Sequence, residues 1–295
     1  MKFVDLVNNL VPSAKNGVRY VPEPAKAPLR RLGVKSALSD AYRGILSPFF
    51  PTEQRITAHG LTMRFKIEDV EEYLVFQKYP EKDESFPVHG DILNHLEPDD
   101  VFWDVGANIG IYSCLAAAKL QSGRVVSVEP NPNNIQRIVE NLQLNGLSAD
   151  VHECALMADT DEGVLQIYED ADAGAFGFLS EDGSSVQSES LTVDPTESIN
   201  VETTTGDALV EDGVPAPNAL KIDVEGAELE VLRGMERTIT QDGVRVIYID
   251  VITSDEFYDR SIAPDEVYEW LDQHGFETER LWNWDGGHFI RCERQ

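Results

Sequence analysis

Five acidic residues follow apolar segments of the chain at points where the strands of a parallel sheet would end. They are Asp104, Glu129, Asp223, Glu225 and Asp250. In an open α/β sheet the carboxyl ends of the strands lie along one edge, and ligands bind in the crevice outside that edge. Carboxylates there can accept hydrogen bonds from hydroxyl groups, pair with cations or take a proton from a substrate. The sequence therefore predicts a ligand-binding edge that is lined by acids.

A glycine-rich turn follows the first of these acids. It lies between an apolar run, 101–105, and a helical pattern from about Gly110 to Leu120, which predicts a strand, a tight turn and a helix. The turn lacks the G-x-G-x-x-G spacing of dinucleotide sites. An acid two residues before Gly106 suits a ligand with cationic and hydroxyl groups, such as S-adenosylmethionine, although an ordinary strand–helix turn is the alternative. The residues of this segment that are predicted to bind the cofactor are Asp104, Gly106, Ala107, Asn108 and Gly110.

A second predicted strand begins at Arg124 and ends at Glu129. An acid at this position of a nucleotide-binding sheet accepts hydrogen bonds from the ribose hydroxyls. Pro130 and Asn131 follow it, at the start of a helical pattern that continues to Leu144. We therefore add Glu129, Pro130 and Asn131 to the predicted cofactor site.

Three segments together resemble the FkbM family of class I S-adenosylmethionine-dependent methyltransferases. They are 104–110, 128–133 and 220–228, and the resemblance covers roughly residues 90 to 251. It implies an α/β fold with a Rossmann-like, mostly parallel sheet of seven strands that has an antiparallel edge pair. It also implies that Ala155 and Leu156, at the end of the third strand, contact the adenine. Asp223 would border both the cofactor and the acceptor.

The remaining acids are candidates for the chemistry. Methyl transfer from a sulfonium requires an aligned acceptor and the exclusion of water, and an oxygen acceptor also needs a base or a metal. We predict Asp223, Glu225 and Asp250 as catalytic residues, with Asp223 as the base because it ends the strand that faces the methyl group. Asp223 and Asp250 could instead hold a divalent ion, although the prediction is no metal. The acids of 223–228 could also simply cap the next helix.

The predicted reaction is O-methylation of a hydroxyl group on a sugar, a glycan or another small molecule, as the resemblance implies. Two alternatives remain open. A cofactor-binding fold without catalysis could serve as an interaction module, but the acids on both sides of the site argue against it. A nicotinamide-dependent enzyme would need the dinucleotide spacing that this turn lacks. The six histidines are scattered, and none has a partner that the sequence identifies.

The chain is strongly acidic. Its 53 acidic and 24 basic residues give a formal charge of −29. Such self-repulsion is screened in a salt-rich cytoplasm, which favours a halophilic source over an acidic mesophilic protein. The charge also argues against binding to nucleic acid, whose affinity depends on cationic contacts.

The three cysteines show no paired framework, which predicts a reducing compartment such as the cytoplasm. The sequence has no apolar run long enough to predict a membrane span. We expect an N-terminal extension, 1–60, which could form a homo-oligomer, and a methyltransferase domain, 61–295. Within the latter, a hairpin over Ile56–Ile67 turns at His59–Gly60 at the domain boundary, and short strands are predicted at 164–169, 175–179 and 199–205. The acidic segment 181–198 is predicted to be an exposed loop or a cover over the substrate.

Overall fold

We describe the fold from a computed structural model, which describes residues 51–68, 76, 87–160, 162–170, 174–180, 197–241, 243–253, 264–284 and 286–294. Most of the N-terminal extension and most of the acidic segment 181–198 lie outside these residues. The predicted homo-oligomer and substrate cover therefore stay predictions. Contacts divide the chain into units of residues 1–51 and 52–295. The predicted domain boundary after residue 60, which separates the two strands of a hairpin, stays a prediction as well.

The described strands and helices alternate over most of the chain. The strands are β1 (Glu53–Ala58), β2 (Leu61–Lys66), β3 (Val101–Val105), β4 (Arg124–Val128), β5 (Asp150–His152), β6 (Ala155–Leu156), β7 (Glu162–Asp170), β8 (Gly174–Ser180), β9 (Glu197–Thr204), β10 (Ala219–Ile222), β11 (Val246–Ile252), β12 (Phe276–Trp284) and β13 (Gly287–Arg294). The helices are α1 (Pro87–His95), α2 (Ile111–Lys119), α3 (Pro132–Leu144), α4 (Gly206–Glu211), α5 (Glu228–Gly234), α6 (Glu236–Gln241) and α7 (Pro264–Gln273).

Seven of these strands form the main sheet in the order β12-β13-β11-β10-β3-β4-β5. The five strands from β11 to β5 run parallel to one another, and β13 is antiparallel to both β11 and β12. The predicted mostly parallel sheet with an antiparallel edge pair is therefore confirmed. The chain order reverses between β3 and β10, and this switch point is where ligands bind in open α/β sheets.

Helices cover both faces of the main sheet. The helices α5, α6 and α7 pack on one face, against residues such as Trp103, Ile222 and Ile249. On the other face α1 and α2 pack against Phe102 and Tyr248. Because both faces are covered, β10 and β11 are buried at every position, as is typical of parallel sheets.

A second sheet, in the order β6-β9-β7-β8, was not predicted as a unit. Three of its strands, β7, β8 and β9, lie where the sequence predicts short strands, and β7 pairs antiparallel with both β8 and β9. The fourth, β6, was predicted as the end of the third strand of the main sheet but pairs with β9 instead. Leu165, Ile167 and Val201 form a small core of their own. The predicted hairpin is confirmed as β1 and β2, with His59 and Gly60 in its turn. In the part of the chain described here, no helix is long and apolar enough to cross a membrane.

Candidate active site

The glycine-rich turn between β3 and α2 is packed against the end of β10. Gly106, Asn108 and Gly110 have left-handed backbone angles, with φ of 73°, 51° and 83°. A Cβ atom on Gly106 would overlap the carbonyl oxygen of Asp223, so a larger residue would force the two segments apart. The N–H groups of Gly106 and of the next residue both donate to the carbonyl of Val128. The turn therefore contacts the ends of both neighbouring strands, β4 and β10.

Glu129 connects this turn with the start of α3. Its Oε2 accepts the backbone N–H of Asn108 at 2.9 Å, and its Oε1 accepts the backbone N–H of Asn131 at 3.0 Å and the side-chain amide of Asn134 at 3.1 Å. Burial raises the pKa of Glu129, while these hydrogen bonds favour its ionised form. Pro130 is half-buried between the two connected segments. A carboxylate oxygen can accept more than one hydrogen bond, so Glu129 retains the capacity to accept a ribose hydroxyl.

Three small or apolar residues of the predicted cofactor site are buried. They are Ala107, Ala155 and Leu156. The last two form β6 and pair with Thr203 and Thr204 of β9 in the second sheet, beyond the end of β5. Their predicted contact with adenine stays a prediction.

Lys221 of β10 was not among the predicted site residues. Its Nζ donates to the carbonyl oxygen of Gly106 at 2.8 Å and lies 3.1 Å from Asp104 Oδ1 and 3.5 Å from Asp223 Oδ2. Burial by itself lowers the pKa of Lys221, but the carboxylates of Asp104 and Asp223 outweigh it and raise that pKa. One ammonium group thus links the glycine-rich turn with Asp223, a predicted catalytic acid. A lysine in an otherwise apolar strand was the signal that could have identified it, because a buried charge needs a partner.

The carboxylate of Asp104 lies behind this ammonium group and has no exposed surface. Its second oxygen, Oδ2, accepts the hydroxyl of Ser113 at 2.6 Å. Asp104 is therefore part of a buried network with Lys221 and Ser113. Its predicted contact with the cofactor stays a prediction.

Four carboxyl groups come together on the side where the sequence predicts the acceptor. The group consists of Asp223, Glu225, Glu228 and Asp250, and the first three interact electrostatically with the last. Asp223 has a side chain that is 28% exposed. Glu225 has a left-handed φ of 53°, a conformation that costs most residues about 1–2 kcal/mol. All three predicted catalytic acids therefore share one site.

Asp250 lies two residues before the end of β11, not at its end as the sequence predicts. Burial and the neighbouring acids raise the pKa of Asp250 to about 8. The indole N–H of Trp284 donates to Asp250 Oδ1 at 2.9 Å and opposes that rise. Among the described residues, no group of three or more His, Cys, Asp or Glu side chains is arranged to hold a metal ion.

A hydrogen-bonded histidine and tyrosine that the sequence did not identify lie on the opposite face of the sheet from Asp250. His288 at the start of β13 pairs with Val251, and its Nε2 forms a hydrogen bond with the hydroxyl of Tyr268 on α7. Burial and the nearby charge of Arg280 lower the pKa of His288, which favours the neutral imidazole. No local sequence signal joins α7 to β13, because the contact depends on the tertiary fold.

A family model described as the methyltransferase FkbM domain matches residues 104–278 of the chain. A hexuronic acid methyltransferase, AglP of Haloferax volcanii, is 29% identical over 75% of this chain and 80% of its own length. The 31-O-demethyl-FK506 methyltransferase FkbM of Streptomyces tacrolimicus is 29% identical over 61% of this chain and 74% of its own length. A crystal structure of methyltransferase FkbM from Methylobacillus flagellatus aligns with a TM-score of 0.45 and 17% identity over 68% of this chain and 45% of that one.

Proposed function

This chain belongs to the FkbM methyltransferase family, and we propose that it methylates a hydroxyl group of a sugar, a glycan or another small molecule, with S-adenosylmethionine as donor. The observation that carries the proposal is the close contact of the glycine-rich turn with Asp223. It joins the predicted cofactor residues and the predicted catalytic acids in one site. A relative that acts on a hexuronic acid supports a sugar as the acceptor.

The chemistry of the residues at this edge fits S-adenosylmethionine. Gly106 leaves the turn without a side chain where it meets β10, and the buried carboxylate of Glu129 lies beside the turn. Acidic groups on both sides suit a cationic ligand. When bound, S-adenosylmethionine supplies a methyl group on a positively charged sulfur. Lys221 and Glu129 then hold the turn in position from opposite sides.

We propose Asp250 as the residue that takes the proton of the acceptor hydroxyl. A general base works best when its pKa lies near the working pH, and the pKa of Asp250 is raised to about 8. Its hydrogen bond to Trp284 fixes the orientation of the carboxylate. Asp223 and Glu225 would align the acceptor, with Asp223 held beside Lys221. The sequence favoured Asp223 as the base because of its position at the end of a strand. We now propose Asp250 for that role instead.

Calorimetry in high salt tests the donor. We expect S-adenosylmethionine and S-adenosylhomocysteine to bind and NAD not to bind. Glu129→Ala should weaken binding of either by about 1.5–3 kcal/mol, the range for a hydrogen bond to a charged group. Binding of NAD without binding of the two sulfur compounds would exclude the proposal and favour a nicotinamide enzyme.

Transfer of a labelled methyl group to neutral and uronic acid glycosides tests the acceptor class. A methyl ether on a hydroxyl group survives mild alkali, whereas a methyl ester on a uronic acid carboxylate is released. We expect a labelled product that alkali leaves intact. Release of the label would show that the acceptor is a carboxylate. Tight cofactor binding without transfer to any glycoside or cell extract would instead favour the inactive interaction module.

The location that we propose is a reducing cytoplasm. Cys114, Cys154 and Cys292 are buried and form no disulfide with one another. Burial raises the pKa of each thiol, so these groups are protonated and act as apolar core residues. Free core cysteines are typical of compartments where thiols stay reduced.

A further inference from the structure

The hairpin of β12 and β13 carries an indole to the candidate active site. A β-bulge shifts the register between Arg280 and Trp282. After the bulge, Trp282 pairs with Phe289, and Phe289 pairs in turn with Asp250 of β11. Directly paired residues share a face of the sheet, and the face alternates along each strand. Trp282 and Trp284 therefore lie on the same face of the sheet as Asp250.

Two glycines let the indole of Trp284 cross β13 and reach Asp250. A Cβ atom on Gly286 would overlap the six-membered ring of the indole, and one on Gly287 would lie 3.2 Å from it. The ring therefore lies against the backbone of the hairpin turn. Its N–H donates to Asp250 Oδ1 at 2.9 Å, and the side chain is only half-buried. The indole is thus partly exposed, and its N–H end lies at the proposed base.

Among the residues that the structure describes, core packing does not account for the position of Trp284. Trp282 packs against the apolar cluster under α1 and α2. Trp284 lies outside the two clusters that, in the described part of the chain, cover the faces of the main sheet. A half-buried indole that is held by one hydrogen bond to a functional carboxylate has the features of a ligand-binding group.

We propose that Trp284 is the stacking surface for a pyranose ring of the acceptor and that Asp250 binds a hydroxyl group of the same sugar. The inference rests on the proposed function and identifies the subsite that recognises the substrate. One face of a pyranose presents C–H groups, which are apolar and slightly positive. The face of an indole is flat, apolar and electron-rich, so the two are complementary, and many small dispersion contacts add up over the ring. Because the indole N–H fixes Asp250 next to the stacked ring, a hydroxyl of that ring lies within reach of the base.

Fluorine NMR tests the stacking without any need for turnover. Protein labelled with 5-fluorotryptophan has four signals, one for each tryptophan, and single Trp→Phe variants assign them. We expect methyl β-D-glucopyranoside and methyl β-D-glucopyranosiduronate, added with S-adenosylhomocysteine, to shift the Trp284 signal saturably. The buried Trp103 provides an internal control. Mannitol, which has hydroxyl groups but no ring, should leave the Trp284 signal unmoved. A Trp284 signal that neither pyranoside moves would overturn the proposal.

Kinetics on the acceptor that the labelling experiment identifies provides the second test. Trp284→Leu should raise the KM for that acceptor about tenfold, equivalent to about 1.4 kcal/mol, and change the KM for S-adenosylmethionine less than twofold. Trp284→Phe keeps a ring but loses the N–H, so it should retain acceptor affinity better and lose kcat. Trp282→Phe is the matched control on the same strand and should change neither constant.

The outcomes separate this inference from the proposed function. An unchanged acceptor KM in Trp284→Leu, in a protein that transfers methyl groups, would overturn the inference alone. A protein that binds neither S-adenosylmethionine nor S-adenosylhomocysteine would contradict the proposed function, and the fluorine titration without cofactor would still decide the stacking. If Trp284→Leu does not fold, Trp284→Phe and the titration of the wild-type protein decide.

Discussion

Asp250 is buried beside three other carboxyl groups, and its pKa in the folded protein is about 8. In the unfolded chain the same carboxyl group would have a pKa near 3.9. Between about pH 4 and pH 8 the folded protein therefore holds a proton that the unfolded chain has lost. Because the folded state binds more protons over this window, stability falls as the pH rises, and the loss is complete above about pH 8.

Asp250→Asn removes this ionisation and should flatten the pH dependence of stability. We expect its Tm to exceed that of the wild-type protein at pH 9 by roughly 2 °C or more, and the two values to lie close together at pH 4. Thermal unfolding followed by circular dichroism measures both. Asp272→Asn, at an exposed position of α7, is the control and should behave as the wild type. A variant that is less stable than wild type at pH 9 would show that the ionised carboxylate is stabilised after all.

The same residue should control the rate of transfer. If Asp250 takes the proton, kcat rises with pH through an apparent pKa of about 8, because only the ionised form acts as a base. Asp250→Asn should lower kcat strongly and leave cofactor affinity nearly unchanged. The kcat values of Asp223→Asn and Glu225→Gln are compared with that of Asp250→Asn. Loss of turnover in Asp223→Asn with retention in Asp250→Asn would return the role of base to Asp223.

The acids of the site were predictable because each has a local signal. Asp104 and Glu129 follow apolar strand patterns at a spacing that the fold fixes. Trp284 has no such signal, since its contact with Asp250 depends on pairing across three strands and on a bulge that sets the face of the side chain. Long-range register of this kind cannot be read from neighbouring residues.

At the scale of elements, Lys221 joins β10 to the turn after β3. Lys221→Met keeps the length of the side chain but leaves the carboxylate of Asp104 buried and uncompensated. We expect a loss of about 3–5 kcal/mol in the free energy of unfolding, measured with urea. The double variant Lys221→Met with Asp104→Asn should recover much of this loss because it removes both charges. Lys66→Met breaks an exposed ion pair with Glu140, and it should cost far less stability because solvent screens such a pair. Similar losses in the two single variants would contradict the role of Lys221.

The helix α3 connects the hairpin of β1 and β2 with the cofactor turn. The buried side chain of Asn141 accepts the backbone N–H of Lys66 and donates to the carbonyl of Ile109, both at 2.9 Å. Asn145 lies one helical turn later and forms hydrogen bonds with the backbone of Arg64. Of these two side chains, Asn141 is therefore the one that connects the hairpin with the turn that we propose binds the cofactor.

Asn141→Ala should lower stability by about 1–3 kcal/mol, because it leaves two partly buried backbone groups without this partner. It should also weaken binding of S-adenosylhomocysteine, since the carbonyl of Ile109 belongs to the cofactor turn. Asn145→Ala is the matched control and should lower stability only. Calorimetry measures the affinity of each variant, and urea unfolding measures its stability. Equal affinities of the two variants would mean that the hairpin does not support the cofactor site.

The main sheet was predictable from sequence because its strands are apolar runs separated by helical patterns. The turn and cap residues of α2 and α3 also lie near their predicted positions. The second sheet was harder to identify. Its core consists of only a few apolar residues, and the pairing of β6 and β7 with β9 joins segments far apart in the chain. Periodicity detects such strands one at a time but does not show which sheet they join.

At the scale of the whole molecule, the formal charge of −29 is a property that no single contact explains. The 24 basic residues can neutralise fewer than half of the 53 acidic ones. Most acids therefore have to be compensated by the solvent. Salt screens the repulsion among exposed acids, whose range is about 30 Å at 0.01 M salt and only about 3 Å at 1 M.

The Tm should therefore fall as potassium chloride is lowered from about 2 M to 0.05 M, because the repulsion acts on the compact state more than on the expanded chain. A variant with amides at exposed acids tests whether charge is the cause, since it has fewer carboxylates for salt to screen. Its Tm should depend less on salt than that of the wild-type protein, measured by scanning calorimetry at constant pH. If the Tm of both proteins depends equally on salt, the effect of salt comes from water structure or ion exclusion. If the Tm of the wild-type protein does not change with salt, the surface is not adapted to salt. The exposed acids changed in this variant are Asp99, Asp150, Glu153, Asp159 and Asp272.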